Sequence, residues 1–213
     1  IIGEYLAASL ELLDAAADAD GPGASPVPAA RHAADGTPGA ARSISQAEID
    51  PGAVDGRGRT LLHQAVAEGD LALAKELLLR GADANAAARF GETPLHLAVA
   101  RNRPEMIELL LSRGANVEAR DAVAGNTPLH LAATLGRAEA TAALLAGGAN
   151  VNSLGAQGQQ PLHIAVGVNH LELVGQLLSA GADPNARTQL EATALSRAAF
   201  WGRPEVVQLL AER

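Results

Sequence analysis

The sequence predicts an all-α solenoid: five helix–turn–helix–loop units over residues 55–213, with an N-terminal helix over 1–19 and a Gly/Pro/Ala-rich linker over 20–54. Three observations predict it. His63, His96, His130 and His163 recur at spacings of 33, 34 and 33, and Ser196 takes the next slot 33 residues later. Gly81-Ala82, Gly114-Ala115, Gly148-Ala149 and Gly181-Ala182 repeat the same 33, 34 and 33. Two independent markers on one period mean stacked units that share a continuous core. Finally, apolar types make up 48% of the chain but aromatics only 2%. A core of Ala, Leu, Val and Ile suits closely approaching helices better than a sandwich or barrel.

Taken in order, the first element is an amphipathic helix. Ile2, Leu6, Leu10, Leu13 and Ala17 fall on one face, and Glu4, Glu11, Asp14 and Asp18 elsewhere. It is expected to cap the repeats. Residues 20–43 hold Val27 as their only large apolar side chain, a composition that builds no core and reads as a linker. This acidic arm is alternatively expected to fold back towards the Arg-rich first units. The repeat units then run over about 55–87, 88–120, 121–153, 154–186 and 187–213.

Within each unit the punctuation is the same. Thr60, Thr93 and Thr127 offer hydroxyls that suit a helix start. Pro94, Pro128 and Pro161 follow at first-turn positions, where a missing N–H costs nothing. Six residues beyond each His, or Ser196, stands Gly69, Asn102, Gly136, Asn169 or Gly202, types that enter the left-handed backbone region and so end the first helix. Pro104-Glu105 and Pro204-Glu205 open second helices. Leu77-Leu78, Leu109-Leu110, Leu144-Leu145, Leu177-Leu178 and Leu209-Leu210 are expected to form their buried stripe, and the Gly of each Gly-Ala pair stops them. The extra residue of the third unit lies between Gly114 and Gly125, so it belongs to an exposed loop tip. Unit four carries Gly167 and Gly175 inside its helices, each costing about 0.5–1 kcal/mol relative to Ala, and is expected to be the least stable.

Around the histidines the chain reads GRTLLHQA, GETPLHLA, GNTPLHLA and GQQPLHIA, then a weaker EATALSRA. These segments resemble the ankyrin repeat, whose signature is T-P-L-H-x-A in a unit of about 33 residues. The resemblance covers 55–213. Leu61 replaces the proline of the first unit, while Glu191, Ala194 and Ser196 replace the glycine, proline and histidine of the last. Terminal units of a solenoid are usually atypical. The resemblance implies that His63, His96, His130 and His163 are structural, with rings bonded to backbone near the loop of an adjacent unit. It also implies binding of another protein, with no chemistry performed.

Other function classes find no support. With zero cysteines there is no disulfide framework, thiolate metal site or cysteine nucleophile. No stretch approaches the roughly 18 apolar residues that span a bilayer, so no membrane insertion is expected. The formal charge of −8 argues against nucleic acid, which needs clustered Lys and Arg. Residues 1–54 carry eight acidic and two basic groups, net −6, and residues 55–213 carry 16 and 14, net −2. Equivalent residues of stacked units lie roughly 8–10 Å apart, too far for the four histidines to share one ion. No catalytic, cofactor-binding or metal-binding residue is assigned.

Subtracting the periodic residues leaves those just before and after the Gly that precedes each Thr and those four to five residues after each His, or Ser196. In the family these line the concave surface. The candidate protein-binding residues are Arg57, Arg59 and Glu68 in unit one, and Arg89, Phe90, Glu92 and Arg101 in unit two. Asn126 and Leu135 follow in unit three, Gln157 and Gln159 in unit four, and Gln189, Leu190, Phe200 and Trp201 in unit five. Three of the four aromatics of the chain are among them, and Trp and Arg dominate binding hot spots. A second reading of Phe200 and Trp201 is a cover over the open end of the last unit. The charges sit in units one and two, so the groove is expected to have an Arg-lined end and a neutral end.

The function expected is a non-catalytic interaction module that binds a partner protein, as an inhibitor, an immunity-type protein or an adaptor. The abundance of Arg, Ala and Gly resembles a GC-rich bacterial genome, and the lack of cysteine suits cytoplasm and periplasm equally. A monomer is favoured. The alternative is a regulatory or recruitment domain of a larger enzyme whose catalytic part lies upstream of Ile1, where the chain starts without methionine.

Overall fold

A computed structural model describes residues 50–212. The N-terminal helix expected over 1–19 and most of the expected linker lie outside the described residues. Ten α-helices follow one another in pairs: α1 (Leu61–Glu68) with α2 (Leu71–Leu79), α3 (Pro94–Ala100) with α4 (Pro104–Ser112), α5 (Pro128–Leu135) with α6 (Ala138–Ala146), α7 (Pro161–Gly167) with α8 (Leu171–Ser179), and α9 (Ala194–Phe200) with α10 (Pro204–Ala211). Among the described residues the β-structure is one isolated bridge between Val54 and Thr60. The architecture is an all-α repeat solenoid.

Each pair is a hairpin because its turn forces reversal. Gly69, Asn102, Gly136, Asn169 and Gly202 all have positive φ, between 50° and 81°, as their residue types imply. The last residues of α2, α4, α6 and α8 lead to Gly81, Gly114, Gly148 and Gly181 at φ 83° to 91°, where an L side chain would be strained. Second helices begin at Pro104 and Pro204, each followed by Glu in the first turn.

Packing explains the composition. Within each pair the two helices touch, and each first helix packs on the first helix of the next unit. Ala65, Ala98, Ala132, Ala165 and Ala198 form a column that is wholly buried in every unit. A methyl at this position lets neighbouring helices approach, which is why so apolar a chain holds so few rings. Leu62, Leu95, Leu129 and Leu162 are equally inaccessible, as are Leu77, Leu110, Leu144 and Leu177, with Leu210 nearly so. In units one and four Leu78 and Leu178 are buried beside them, so the expected pair is complete there. Leu109, Leu145 and Leu209, expected within the stripe, are only partly buried.

The ends differ from the middle. In α1, Gln64 is exposed where α3, α5 and α7 place buried Leu97, Leu131 and Ile164. In α9, Leu195 is 45% exposed although its counterparts in the preceding units are fully covered. Ser196 takes the histidine slot there, and its hydroxyl donates to its own cap carbonyl, Thr193 O, at 3.0 Å.

Candidate protein-binding face

The histidines tie this face together. The backbone N–H of each cap residue donates to the Nδ1 of the histidine three residues on: Thr60 to His63 at 3.1 Å, Thr93 to His96 at 3.3 Å, Thr127 to His130 at 3.3 Å and Gln160 to His163 at 3.2 Å. The imidazole thus plays the part that Glu or Gln plays in a capping box. With Nδ1 accepting, Nε2 carries the proton. In units one and three it donates to the next unit, His63 to Glu92 O at 3.3 Å and His130 to Gln159 O at 3.0 Å, and in unit four to the unit's own final loop, His163 to Ala186 O at 3.0 Å. Burial pushes His63 and His130 down to about 4 and lowers His96 and His163 as well. In His63, His130 and His163 both nitrogens are engaged, whereas the buried Nε2 of His96 has no partner; with Nδ1 accepting from the cap N–H, these neutral rings have no free lone pair to offer a metal.

Before each cap lies a loop tip. Four tips share one turn, in which the N–H of the first residue donates to the carbonyl four residues on: Asp55 to Arg59 at 2.9 Å, Ala88 to Glu92 at 2.9 Å, Gly155 to Gln159 at 2.8 Å and Thr188 to Ala192 at 3.0 Å. In unit three the closing bond runs from Asp121 N to Asn126 O, 3.0 Å, and spans one residue more. The insertion is thus in the tip, where Asp121 Oδ1 accepts from Val123 N and Ala124 N.

Adjacent tips are laced by backbone bonds, from Arg89 N to Arg57 O at 2.9 Å, Ala122 N to Phe90 O at 2.8 Å and Gln189 N to Gln157 O at 3.0 Å. At the seam between units three and four, side chains take over. Arg120 Nη1 donates to Gly125 O at 2.6 Å and to Leu154 O at 2.7 Å. Asn126 Oδ1 accepts from Ala156 N at 3.5 Å.

The candidate residues divide by position. Those before the tip glycine are outward: Arg89, Phe90, Gln157, Gln189 and Leu190 are exposed, Leu190 by 73%, and Arg57 is partly buried. The Arg89 guanidinium lies over the Phe90 ring, 5.7 Å from its centroid. Those after the glycine turn inward. Glu92 is only 2% exposed and its Oε2 accepts from Phe90 N at 2.9 Å. Asn126 and Gln159 are buried too, and Gln159 Oε1 accepts from Arg197 Nη1 at 3.0 Å. The expectation that Glu92, Asn126 and Gln159 line a contact surface is therefore corrected: their side chains fold beneath the tips and hold them. Arg59 shares this position, part-buried, with Nε 3.1 Å from Asp55 Oδ2. Burial alone would raise Asp55, but the N–H groups of Arg59 and Arg57 and the Arg59 guanidinium hold it below the usual carboxylate range.

At the first-helix ends Glu68 is exposed and Arg101 and Leu135 are partly buried. Phe200 is 80% and Trp201 46% exposed, and their rings meet edge to face at 5.1 Å and 86°. Exposed Val123 and Leu154 extend the apolar tip surface around the third seam. Leu195 was legible only indirectly, since Ser196 marks the one unit that departs from the histidine slot.

Tips, caps and paired helices of this kind define a repeat scaffold that displays variable side chains on an invariant frame. A family model of ankyrin repeats in three copies matches residues 29–121, 118–188 and 155–213, and the chain belongs to the ankyrin-repeat family. The first match starts upstream of residue 55, where the spacing places the first unit. No curated protein matches the chain. Ankyrin repeats are generally protein–protein interaction modules and typically non-catalytic. No helix of the described residues is long and apolar enough to cross a membrane.

Proposed function

We propose that this chain binds a partner protein through a concave groove formed by the loop tips and first helices, and performs no chemistry itself. Its role is that of an inhibitor, immunity-type protein or adaptor in a bacterium. One observation carries the reading: a chain with four aromatic residues leaves Phe90, Phe200 and Trp201 exposed, as it does the tip residue Leu190. Large side chains that a core would gain from burying are held out in water at loop tips and at a first-helix end, which is how interface anchors are displayed. Arg89 and Arg101 at one end suit acidic groups of the partner, and the neutral, apolar end suits its hydrophobic ones. The test is capture of the partner by wild type and by Phe90→Ala with Arg101→Ala. Truncating true anchors costs about 2 kcal/mol or more, near thirty-fold in affinity. Equal capture by both proteins overturns the reading.

A further inference from the structure

The first and last units finish their first helices differently. In α1, Gln64 stands exposed where later units bury Leu97, Leu131 and Ile164, and its Nε2 donates to Glu68 Oε1 at 2.9 Å, a polar finish. In α9 the finish is apolar. Leu195 and Ala199 are exposed, whereas Leu162 and Val166, which hold their places in unit four, are sealed. Phe200 departs further. Its counterparts Ala100, Thr134 and Gly167 are small and buried, and Arg197 of the following unit closes over Gly167. A phenylalanine in that place stands in the way of a following unit of the same kind. Ser196 agrees: the rings of His63 and His130 reach the next unit, but the Ser196 hydroxyl turns back to Thr193 O. This face is apolar yet not shaped for another repeat.

We propose that two copies of this chain associate tail to tail through the outer face of α9, with Leu195, Ala199, Phe200 and Trp201 of one copy packed on the same residues of the other, where the sequence led us to expect a monomer. Charge favours a second copy as the occupant. Leu195, Ser196, Ala199, Phe200 and Trp201 carry none, and the carboxylates of the unit lie off α9: Glu205 on α10, Glu212 just beyond it, and Glu191 at the tip, paired with Arg187 at 3.0 Å. A two-fold contact sets a patch against itself, so a charged patch would repel its copy and this one does not. Head-to-tail stacking would instead press Leu195 and Phe200 onto Gln64 and Glu68, and would grow without limit. Area suffices as well. Across both copies these side chains present on the order of 800 Å² of apolar surface, and with the polar third usual in a homodimer contact that reaches about 1,200 Å², the lower bound of specific interfaces. The inference goes beyond the groove reading and shares only Phe200 and Trp201 with it. Arg89, Phe90 and Arg101 lie three packing steps of roughly 8–10 Å away and stay open in the dimer.

Sedimentation equilibrium of the full chain, from micromolar to millimolar, should show a monomer passing to a dimer and no larger species. Trp201, the single tryptophan, reports the contact, and its emission should shift to the blue over the same range. Phe200→Glu raises the dissociation constant about thirty-fold or more and cancels the shift. Ala199→Arg, on the same face, repeats the loss, and unchanged helical circular dichroism in both variants separates lost contact from lost fold. Leu79→Glu, at an exposed leucine of α2 in unit one, changes neither readout. Added salt leaves the dimer intact, since no charges meet in it. A monomer throughout or growth beyond two overturns the proposal. So does a dimer that is indifferent to Phe200→Glu, leaves Trp201 unshifted or is weakened by salt. The capture experiment alters Phe90 and Arg101 alone, so either reading can fail while the other stands.

Discussion

His63, His96, His130 and His163 each stand where a helix begins and a neighbouring unit arrives, and the acid sensitivity of the protein follows from that placement. Their burial lowers all four pKa values, to about 4 for His63 and His130. In the unfolded chain an imidazole titrates near 6.5, so between the two values protons favour unfolding. Their contribution is fully present above about pH 6.5 and is lost as pH falls towards 4, by about 3 kcal/mol for His130. The urea midpoint should therefore drop steeply across that window. A midpoint unchanged from pH 7 to pH 4.5 would contradict the ring assignment. The structural role of these histidines was legible through the resemblance that the repeated T-P-L-H-x-A run carries, whereas the bond from each cap N–H to Nδ1 came only from the fold. The inward turn of Glu92, Asn126 and Gln159 was not. Their partners are the Phe90 amide, the Ala156 amide and the Arg197 guanidinium, and the latter two come from other units.

At the scale of the element, the two glycines of unit four part company. A Cβ on Gly175 in α8 would meet nothing within 4 Å, so Gly175→Ala should stabilise by about 0.5–1 kcal/mol through helix propensity. Gly167 in α7 is buried beneath Arg197, whose Nη2 would lie 2.9 Å from a Cβ there. That glycine makes room for an arginine that reaches back to Gln159, and Gly167→Ala should bring no gain. Thermal denaturation of the two variants separates them: equal gains would mean that Arg197 does not need the space. The seam between units three and four offers a second test. Arg120 joins Gly125 O and Leu154 O where the tip backbones are not bonded to each other, so Arg120→Ala should speed hydrogen exchange at tips three and four while leaving the seam of units one and two unchanged. Helix starts and stops were readable because proline, glycine and asparagine act on their own backbone. The partial exposure of Leu109, Leu145 and Leu209 was not, since whether the other leucine of a pair is covered depends on what the adjacent unit puts beside it.

For the whole molecule, stability belongs to the interfaces between units, and equivalent positions differ in worth with their place in the stack. Leu129 has units on both sides and is wholly buried, so Leu129→Ala should cost about 3–5 kcal/mol. Leu195, the same position in the last unit, keeps nearly half its surface in water, and Leu195→Ala should cost well under half as much. Urea denaturation of both variants checks this; a similar loss would mean that another surface covers the end of the stack. The period, the hairpin in each unit and the helix starts and stops were determined by the sequence itself, because each arises from residues acting within one turn of chain repeated at a constant interval. Only the folded assembly decided which spared side chains face water: Phe90 out but Glu92 in, Leu195 half bare but Leu129 sealed. The physical reason is that exposure depends on which neighbour stands opposite, and a chain read one residue at a time holds no such neighbours.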